Sequence, residues 1–410
     1  MGPIAKIYAI ARFFFYVLYL LFHHVQEFLR EYGRKHEIKQ EGKIRVSRIL
    51  FKHKMDIEEI SKRQDFIATR GEWQDLAVLN DPKWFLYSVE RDRAFFVLLP
   101  KEIDHYRIEN YPFMYVCVYK DAMLLAEVAK EDFMKLADKF NDRKLPKTIF
   151  FTNTARGGST LMGKMLDHPG TTVCFGEPHV LVNLSFYLDE GLVAEEEVQE
   201  LLEATVACLR AHVPANQICV LKTTSGEARL VRLCEDIPKL KHMFMFRQNG
   251  LPSVERMVRS RERYFAQMNL ILYNAWPSLA RFIAILSPCM EGRYVRKLKP
   301  DSIKLWSAIV YASPYHHYLK NRALYCHPAV QYHELLTDTS KVLVKLFTAL
   351  EIPLHCVEAA VRCKDQDSQK NSHMSRDLMK EIKARPLTNS DRRIMKRYAK
   401  EMEVPEDIFE

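Results

Sequence analysis

The stretch "IFFTNTARGGSTLMGKML", residues 149–166, constrains the fold of this chain more than any other. Thr148 to Thr152, "TIFFT", is a short apolar run bounded by Pro146 and by glycines, the pattern of a strand buried within a parallel sheet. It leads through "NTARGG" into "STLMGKMLDH", which reads as a helix. A strand, a glycine turn and a helix start in direct succession form a natural anion site. Exposed backbone N–H groups and the helix dipole both favour negative charge there.

Two registers compete for this loop. In a Walker A register, Gly158 and Gly163-Lys164 have the right spacing, but the position that must supply a hydroxyl to magnesium is Met165. A thioether has no affinity for that hard cation. The next apolar strands also end in Lys222 and Arg247, not in an aspartate that would complete a nucleotide hydrolase. The second register is centred on "RGGST": Arg156, two glycines, then Ser159 and Thr160 on the helix start. Arginine, hydroxyls and backbone amides suit a phosphosulfate, whose smaller charge does not demand a metal. The bland alternative is a solvated turn with a helix cap at Ser159.

After "NDRKLPK" strands and helices alternate, so the expected class is α/β: a P-loop type parallel sheet flanked by helices. An N-terminal helical anchor and stem and a small accessory α+β layer precede it. The expected division is residues 1–30 as a hydrophobic membrane anchor, 31–145 as stem and accessory region, and 146–410 as the P-loop domain. Residues 26–64 are charged and read as helical. "RAFFVLLPK" and "FMYVCVYKD" read as β-rich, and "EDFMKLADKF" as a helix.

Within residues 7–25, "IYAIARFFFYVLYLLFHHV", the run from Phe13 to Phe22 is apolar on every helical face, as lipid or a deep core requires. Arg12 interrupts a span close to bilayer length, and no small-residue cleavage site follows, which favours an uncleaved anchor over a signal peptide. A packed or amphipathic helix on a soluble chain is the other reading. Arg30, Arg34, Lys35 and Lys39 follow the run, so the positive-inside rule taken alone would leave the bulk of the chain cytosolic.

The formal charge of +9 favours anionic partners, and its even spread argues against a dedicated nucleic-acid binder. The 9 cysteines include no CxxC pair, so they read as buried thiols or as a few disulfides in a luminal domain. The triplet Asn183-Leu184-Ser185 is a sequon compatible with secretion.

"RGGST" resembles the 5′-phosphosulfate loop of P-loop sulfotransferases, above all the carbohydrate-type members in which arginine stands where others have lysine. Four later segments resemble that family in the same order: "CFGEPH" (174–179), "ICVLKTT" (218–224), "IPKLKHMFMFR" (237–247) and "VQYHELLTD" (330–338). The resemblance covers roughly residues 146–375. It implies transfer of a sulfuryl group from 3′-phosphoadenosine-5′-phosphosulfate, with no metal, to an acceptor hydroxyl or amine on a glycan. It also implies a Golgi single-pass type II protein with a luminal catalytic domain.

Under that resemblance Arg156, Gly157, Gly158, Ser159 and Thr160 cradle the phosphosulfate, and Arg247 pairs with the 3′-phosphate. The family's usual serine falls on Glu255, so Ser253 or Ser260 is the substitute, with Ser253 preferred and Arg256 and Arg259 nearby. Glu177 is the candidate base, His179 its rival with a more suitable ordinary pKa, and Lys222 a contact to the bridging oxygen. In "KDQDSQKNSHMSR" (364–376), which resembles a loop closing over the nucleotide, Lys370 and Ser372 are candidates. Tyr332 and Trp306 read as packing residues. Two other classes stay open: a small-molecule kinase or hydrolase with a degenerate Walker loop, and a non-catalytic relative that binds a glycan or partner.

Overall fold

The computed structural model describes residues 11, 14–15, 17–26, 28, 42–54, 57–261, 270, 274–275, 291–370, 372, 374–375, 377–378 and 386–410. Its first part is an antiparallel sheet. The elements are β1 (Lys43–Lys52), β2 (Phe66–Ala68), β3 (Glu72–Asp75), β4 (Trp84–Val89), β5 (Arg93–Leu98), helix α1 (Met114–Asp121), β6 (Leu124–Ala129) and helix α2 (Lys130–Asn141). The sheet runs β2-β1-β6-β5-β4, with β3 also paired to β1.

Two expectations fail in this region. Residues 43–52, read as part of a charged helical stem, form β1, because Ile44, Val46 and their neighbours are buried between β6 on one side and β2 and β3 on the other. The charges that suggested a solvated helix are absorbed locally: the Arg45 guanidinium lies 4.6 Å from the centre of the Trp73 ring. "FMYVCVYKD", read as β-rich, folds as α1. Met114, Cys117 and Val118 fall at helical spacing on its buried face, so packing overrides the strand preference of its valines and tyrosines.

The second part is a parallel sheet. Its elements are β7 (Lys147–Asn153), α3 (Ser159–Met165), β8 (Thr172–Gly176), α4 (His179–Glu190), α5 (Glu195–Arg210), β9 (Ile218–Lys222), β10 (Leu240–Phe246), α6 (Leu251–Arg261), α7 (Gly292–Leu298), α8 (Ile303–Lys320), β11 (Val330–Gln331), α9 (Tyr332–Thr337), α10 (Thr339–Leu350), α11 (Val357–Arg362) and α12 (Asn389–Glu401). Strand order is β11-β10-β7-β9-β8, and every pair is parallel. The expected α/β class, a parallel sheet flanked by helices, is what the chain forms. From the central β7 the chain winds first towards β8 and β9, then crosses to β10. The carboxyl end of β7 is therefore the switch point at which such sheets bind ligands.

The two-residue period of β7 explains its central place. Phe150 packs with Phe175, Leu221 and Phe244 into a cluster that continues through Phe95 and Phe133 of the antiparallel part. Ile149 and Phe151 face the opposite way, against Met162, Met165, Leu346 and Phe347. Met165, the residue that breaks the Walker pattern, is thus a buried packing residue beneath the loop.

A polar clamp fixes the layers to each other. Arg107 donates from Nε to Asp167 Oδ2 at 2.8 Å and from Nη2 to Asp167 Oδ1 at 2.7 Å, and also to the Thr172 carbonyl at 2.8 Å. Asp167 Oδ1 accepts from the Cys174 N–H at 2.9 Å, and the Ile108 N–H donates to the Cys174 carbonyl at 2.7 Å. The chain after Ile108 then crosses so close to β8 that a Cβ on Gly176 would lie 2.5 Å from the Pro112 carbonyl oxygen.

Of the expected anchor, residues 1–10, 12–13, 16, 27 and 29–30 lie outside the described residues, as do stem residues 31–41. Residues 17–26 are helical; the Tyr19 hydroxyl donates to the Gln64 carbonyl at 2.8 Å, while Phe14, Leu18, Leu21, Phe22, Val25 and Phe28 are exposed. Among the described residues no helix is long and apolar enough to cross a membrane. The sequon loses its meaning in the folded chain, because Asn183 is buried in α4 and donates to the Ser61 carbonyl at 2.8 Å. Every described cysteine is a free thiol, and most are buried, which favours the thiol reading over disulfides.

Removing one partner of a buried, hydrogen-bonded ion pair typically costs about 3–5 kcal/mol. Asp167→Asn should lower stability by about 3 kcal/mol in urea titration and open residues 107–113 to limited proteolysis before the rest of the chain.

Candidate functional site

A cavity of about 650 Å³ opens at the carboxyl ends of β7, β8 and β9. One wall is the loop between β7 and α3. Arg156 and Gly158 both have positive φ, +58° and +91°. At Gly158 a side chain is excluded twice, since a Cβ would also lie 2.3 Å from Cδ2 of the Tyr332 ring. This curl brings Arg156, Gly158, Ser159 and Thr160 to the cavity, at the start of α3, whose first N–H groups have no partner within the helix. Beneath it, Ser253 donates its hydroxyl to the Arg156 carbonyl at 3.2 Å.

Residues 366–369 and Met374 close over this wall. Gln369 donates from Nε2 to Thr160 Oγ1 at 3.3 Å, and Arg156 Nη2 lies 2.7 Å from Met374 Sδ. Tyr332, expected to be a packing residue, does pack against the core beneath the loop and lines the cavity as well: its ring covers Gly158 and has the Arg247 guanidinium 5.2 Å from its centre. Its place at the start of α9, immediately after the edge strand β11, is what turns it towards the loop. Trp306 is buried among α8 packing residues, as expected.

Glu177 and Lys222 meet across the ends of β8 and β9. The register pairs Gly176 with Lys222, the Glu177 N–H donates to the Lys222 carbonyl at 2.7 Å, and the two side chains form an ion pair. Glu177 itself has φ +60°, so its carboxylate turns off the strand into the cavity. Lys222 sits behind it, 1% exposed. His179, the first residue of α4, also lines the cavity and stacks on Tyr115 with ring centres 3.8 Å apart. Burial, reinforced by Lys54, pushes its protonation well below the ordinary histidine range, so the ring is neutral at pH 7.

Most of the expected site residues fall into two groups. Arg156, Gly158, Ser159, Thr160, Glu177 and His179 are brought together in one cavity. Lys222, Arg247, Ser253 and Gly157 stand immediately behind its walls. Lys370 is exposed, with its N–H donating to the Asp367 carbonyl at 3.1 Å, and the Ser372 hydroxyl donates to the Gln369 carbonyl at 2.7 Å. The side chains of Ser260 and Arg259 lie outside the described residues. Glu255, the apparent misfit, is not among the lining residues, whereas Arg256 is. Lys164 reaches away from the loop to Glu109, 3.6 Å from its Oε2.

Sequence reasoning missed Glu227. It is fully buried at the start of a 3₁₀ segment, Gly226–Leu233, and holds the cavity-lining Thr224 through its backbone N–H at 3.2 Å and its hydroxyl. Burial pushes its carboxyl up to about 7, against the Thr224 hydrogen bonds and helped by Glu177. The only hint in sequence is a lone acid three residues after "KTT".

Together the loop and the strand ends define an α/β protein in which a tightly curled glycine loop and a carboxylate share one cavity. No protein-family model and no curated protein matches the chain. Among solved structures, a sulfotransferase domain from the curacin biosynthetic pathway is similar over 64% of this chain and 99% of its own, at 15% identity and a TM-score of 0.33. A sulfotransferase domain from the Synechococcus PCC 7002 olefin synthase is similar over 64% of this chain and 97% of its own, at 15% identity and a TM-score of 0.32. At such scores the functional reading has to stand on this chain's own residues.

The Glu227 carboxyl ionises near pH 4.5 in the unfolded chain and near 7 in the folded one. Its raised value means this group's contribution to stability is greatest below about pH 4.5 and falls as pH rises towards about 7, by up to roughly 3 kcal/mol. Glu227→Gln should remove this part of the pH dependence, so that urea midpoints measured at about pH 5 and about pH 8 lie closer together than in the unsubstituted chain.

Proposed function

We propose that the protein is a sulfotransferase that uses 3′-phosphoadenosine-5′-phosphosulfate as donor and a hydroxyl or amine compound as acceptor. The observation that carries this reading is the shared cavity: Arg156 and the Ser159 and Thr160 hydroxyls line the same space as the Glu177 carboxylate, while Lys164 is turned away to Glu109. A Walker loop needs that lysine on the phosphates. A phosphosulfate cradle needs an arginine, hydroxyls and backbone N–H groups, and Arg156, Ser159 and Thr160, which line the cavity, support that reading.

In the proposed reaction the acceptor oxygen or nitrogen attacks sulfur and forms a new bond to it. The bond from sulfur to the oxygen shared with the 5′-phosphate breaks, and its electron pair leaves with adenosine 3′,5′-bisphosphate. The acceptor's proton passes to Glu177, whose place at the end of β8 sets it in the cavity opposite the loop. Lys222 holds that carboxylate in position through their ion pair. Arg156 and the loop N–H groups take up charge on the departing phosphate. His179, kept neutral by burial, is the weaker base but retains a lone pair for hydrogen bonding. Arg247, behind Tyr332, is the cation assigned to the 3′-phosphate.

Membrane association belongs to the same proposal, as does a luminal Golgi placement of the catalytic part. Its support is the exposed apolar row from Phe14 to Phe28. Digestion of the bulk chain in sealed microsomes without detergent would contradict the luminal placement.

Calorimetry of the full chain separates the sulfotransferase from a nucleotide hydrolase. Adenosine 3′,5′-bisphosphate should bind without magnesium, Arg156→Ala should weaken it roughly tenfold or more, and Lys164→Ala should leave it nearly unchanged. Magnesium-dependent ATP binding that is lost in Lys164→Ala would replace this reading with the kinase or hydrolase one. Nucleotide binding without sulfuryl transfer to any acceptor would make the chain a non-catalytic relative.

A further inference from the structure

The end of the cavity away from the loop is acidic. Asp189 and Glu291 line it, and both carboxylates are paired to one guanidinium, that of Arg229. All three side chains are at most 6% exposed. Ser313 donates a further hydrogen bond to Glu291 Oε2 at 2.6 Å, and the Arg293 N–H one to Asp189 Oδ2 at 3.4 Å. Two buried carboxylates face one cation at this end; burial raises the Glu291 carboxyl, while Arg229 and the Ser313 hydrogen bond oppose that shift and favour its ionised form.

Two buried acceptor atoms on the lining residues point to what would satisfy this charge. Glu291 Oε1 has no hydrogen-bond partner among the described residues, and neither has His179 Nδ1. The His179 ring already bonds the Glu59 backbone, so in the neutral ring Nδ1 is a lone pair. Buried acceptors without donors are costly, and a ligand that brings donors removes that cost. The apolar part of the lining is Ile60, Phe113, Tyr115, Val182, Phe186 and Met257, with Ser185, Ser225 and Arg256 among the polar residues between them.

We infer that the acceptor is a compact, largely apolar amino alcohol or amine, whose ammonium group is held by Glu291 and Asp189 while its nucleophile faces Glu177. This inference rests on the sulfotransferase reading and names its acceptor class. It replaces the acidic glycan suggested by the overall positive charge, because a polyanion would meet carboxylates throughout this end of the cavity.

The test uses benzyl alcohols that carry an aminomethyl, an ethyl or a carboxymethyl group in the para position, with chondroitin sulfate as the polyanion. Each is titrated into the full chain by calorimetry, with and without adenosine 3′,5′-bisphosphate, and each is offered for transfer of labelled sulfuryl. The aminomethyl compound should bind and react roughly tenfold or more better than the ethyl compound, and the carboxymethyl compound and the polyanion worst. Glu291→Gln should shrink the aminomethyl-to-ethyl ratio several-fold and leave nucleotide affinity as it was. Equal affinity for all three alcohols, or a preference for either anion, overturns the inference, and since that result comes from the unsubstituted chain it does not depend on how the variant folds. Nucleotide binding with no charge preference removes the acceptor class alone. An amine preference with no nucleotide binding removes the sulfotransferase reading alone.

Discussion

The buried pair between Arg107 and Asp167 is the contact on which the cavity depends. Its cation comes from the chain leaving the antiparallel layer and its carboxylate from the segment between α3 and β8. Apart from it, the Ile108 N–H on the Cys174 carbonyl is the polar contact that holds residues 108–113 against β8, the segment that delivers Phe113 and Tyr115 to the cavity. Both charges are heavily desolvated, so the pair is chiefly a device of position. Its attraction offsets the cost of burial and fixes one arrangement of two layers that apolar contact alone would allow to slide.

The wall that carries Arg156 and Glu177 obeys a similar logic of forced backbone. Glu177 and Arg156 are non-glycine residues with positive φ, a conformation that side chains disfavour, and both face the cavity. Glu177 is held there by its backbone bond to Lys222 and by the ion pair. Arg156 is held by the Ser253 hydroxyl on its carbonyl and by the close approach of Tyr332 to Gly158. Residues that are not in contact with the cavity, such as Ser253 and Lys222, are thereby tied to the geometry of those that are.

The parallel sheet was legible in the sequence because its signals are local: "TIFFT", "ICVLK" and "LKHMFMF" are apolar runs that must be buried on both faces. The antiparallel layer was less so. β1 carries Lys43, Arg45, Arg48 and Lys52 among its apolar residues, and α1 carries strand-forming residues at helical spacing, so only long-range packing decides either element. At the site, the loop from Arg156 to Thr160 announced itself through its glycines. Asp189, Arg229 and Glu291 did not, because each is an ordinary charged residue far from the others in sequence and only the fold brings them to one cavity, and Glu227 is a lone acid buried behind the cavity-lining Thr224.

A crystal structure of the full chain with adenosine 3′,5′-bisphosphate tests the central claim most directly. The account predicts the 5′-phosphate within hydrogen-bond reach of the Arg156 guanidinium and the Ser159 and Thr160 N–H groups, with the 3′-phosphate on the Arg247 side of Tyr332. A nucleotide bound with its phosphates on Lys164, or bound outside this cavity, would contradict it.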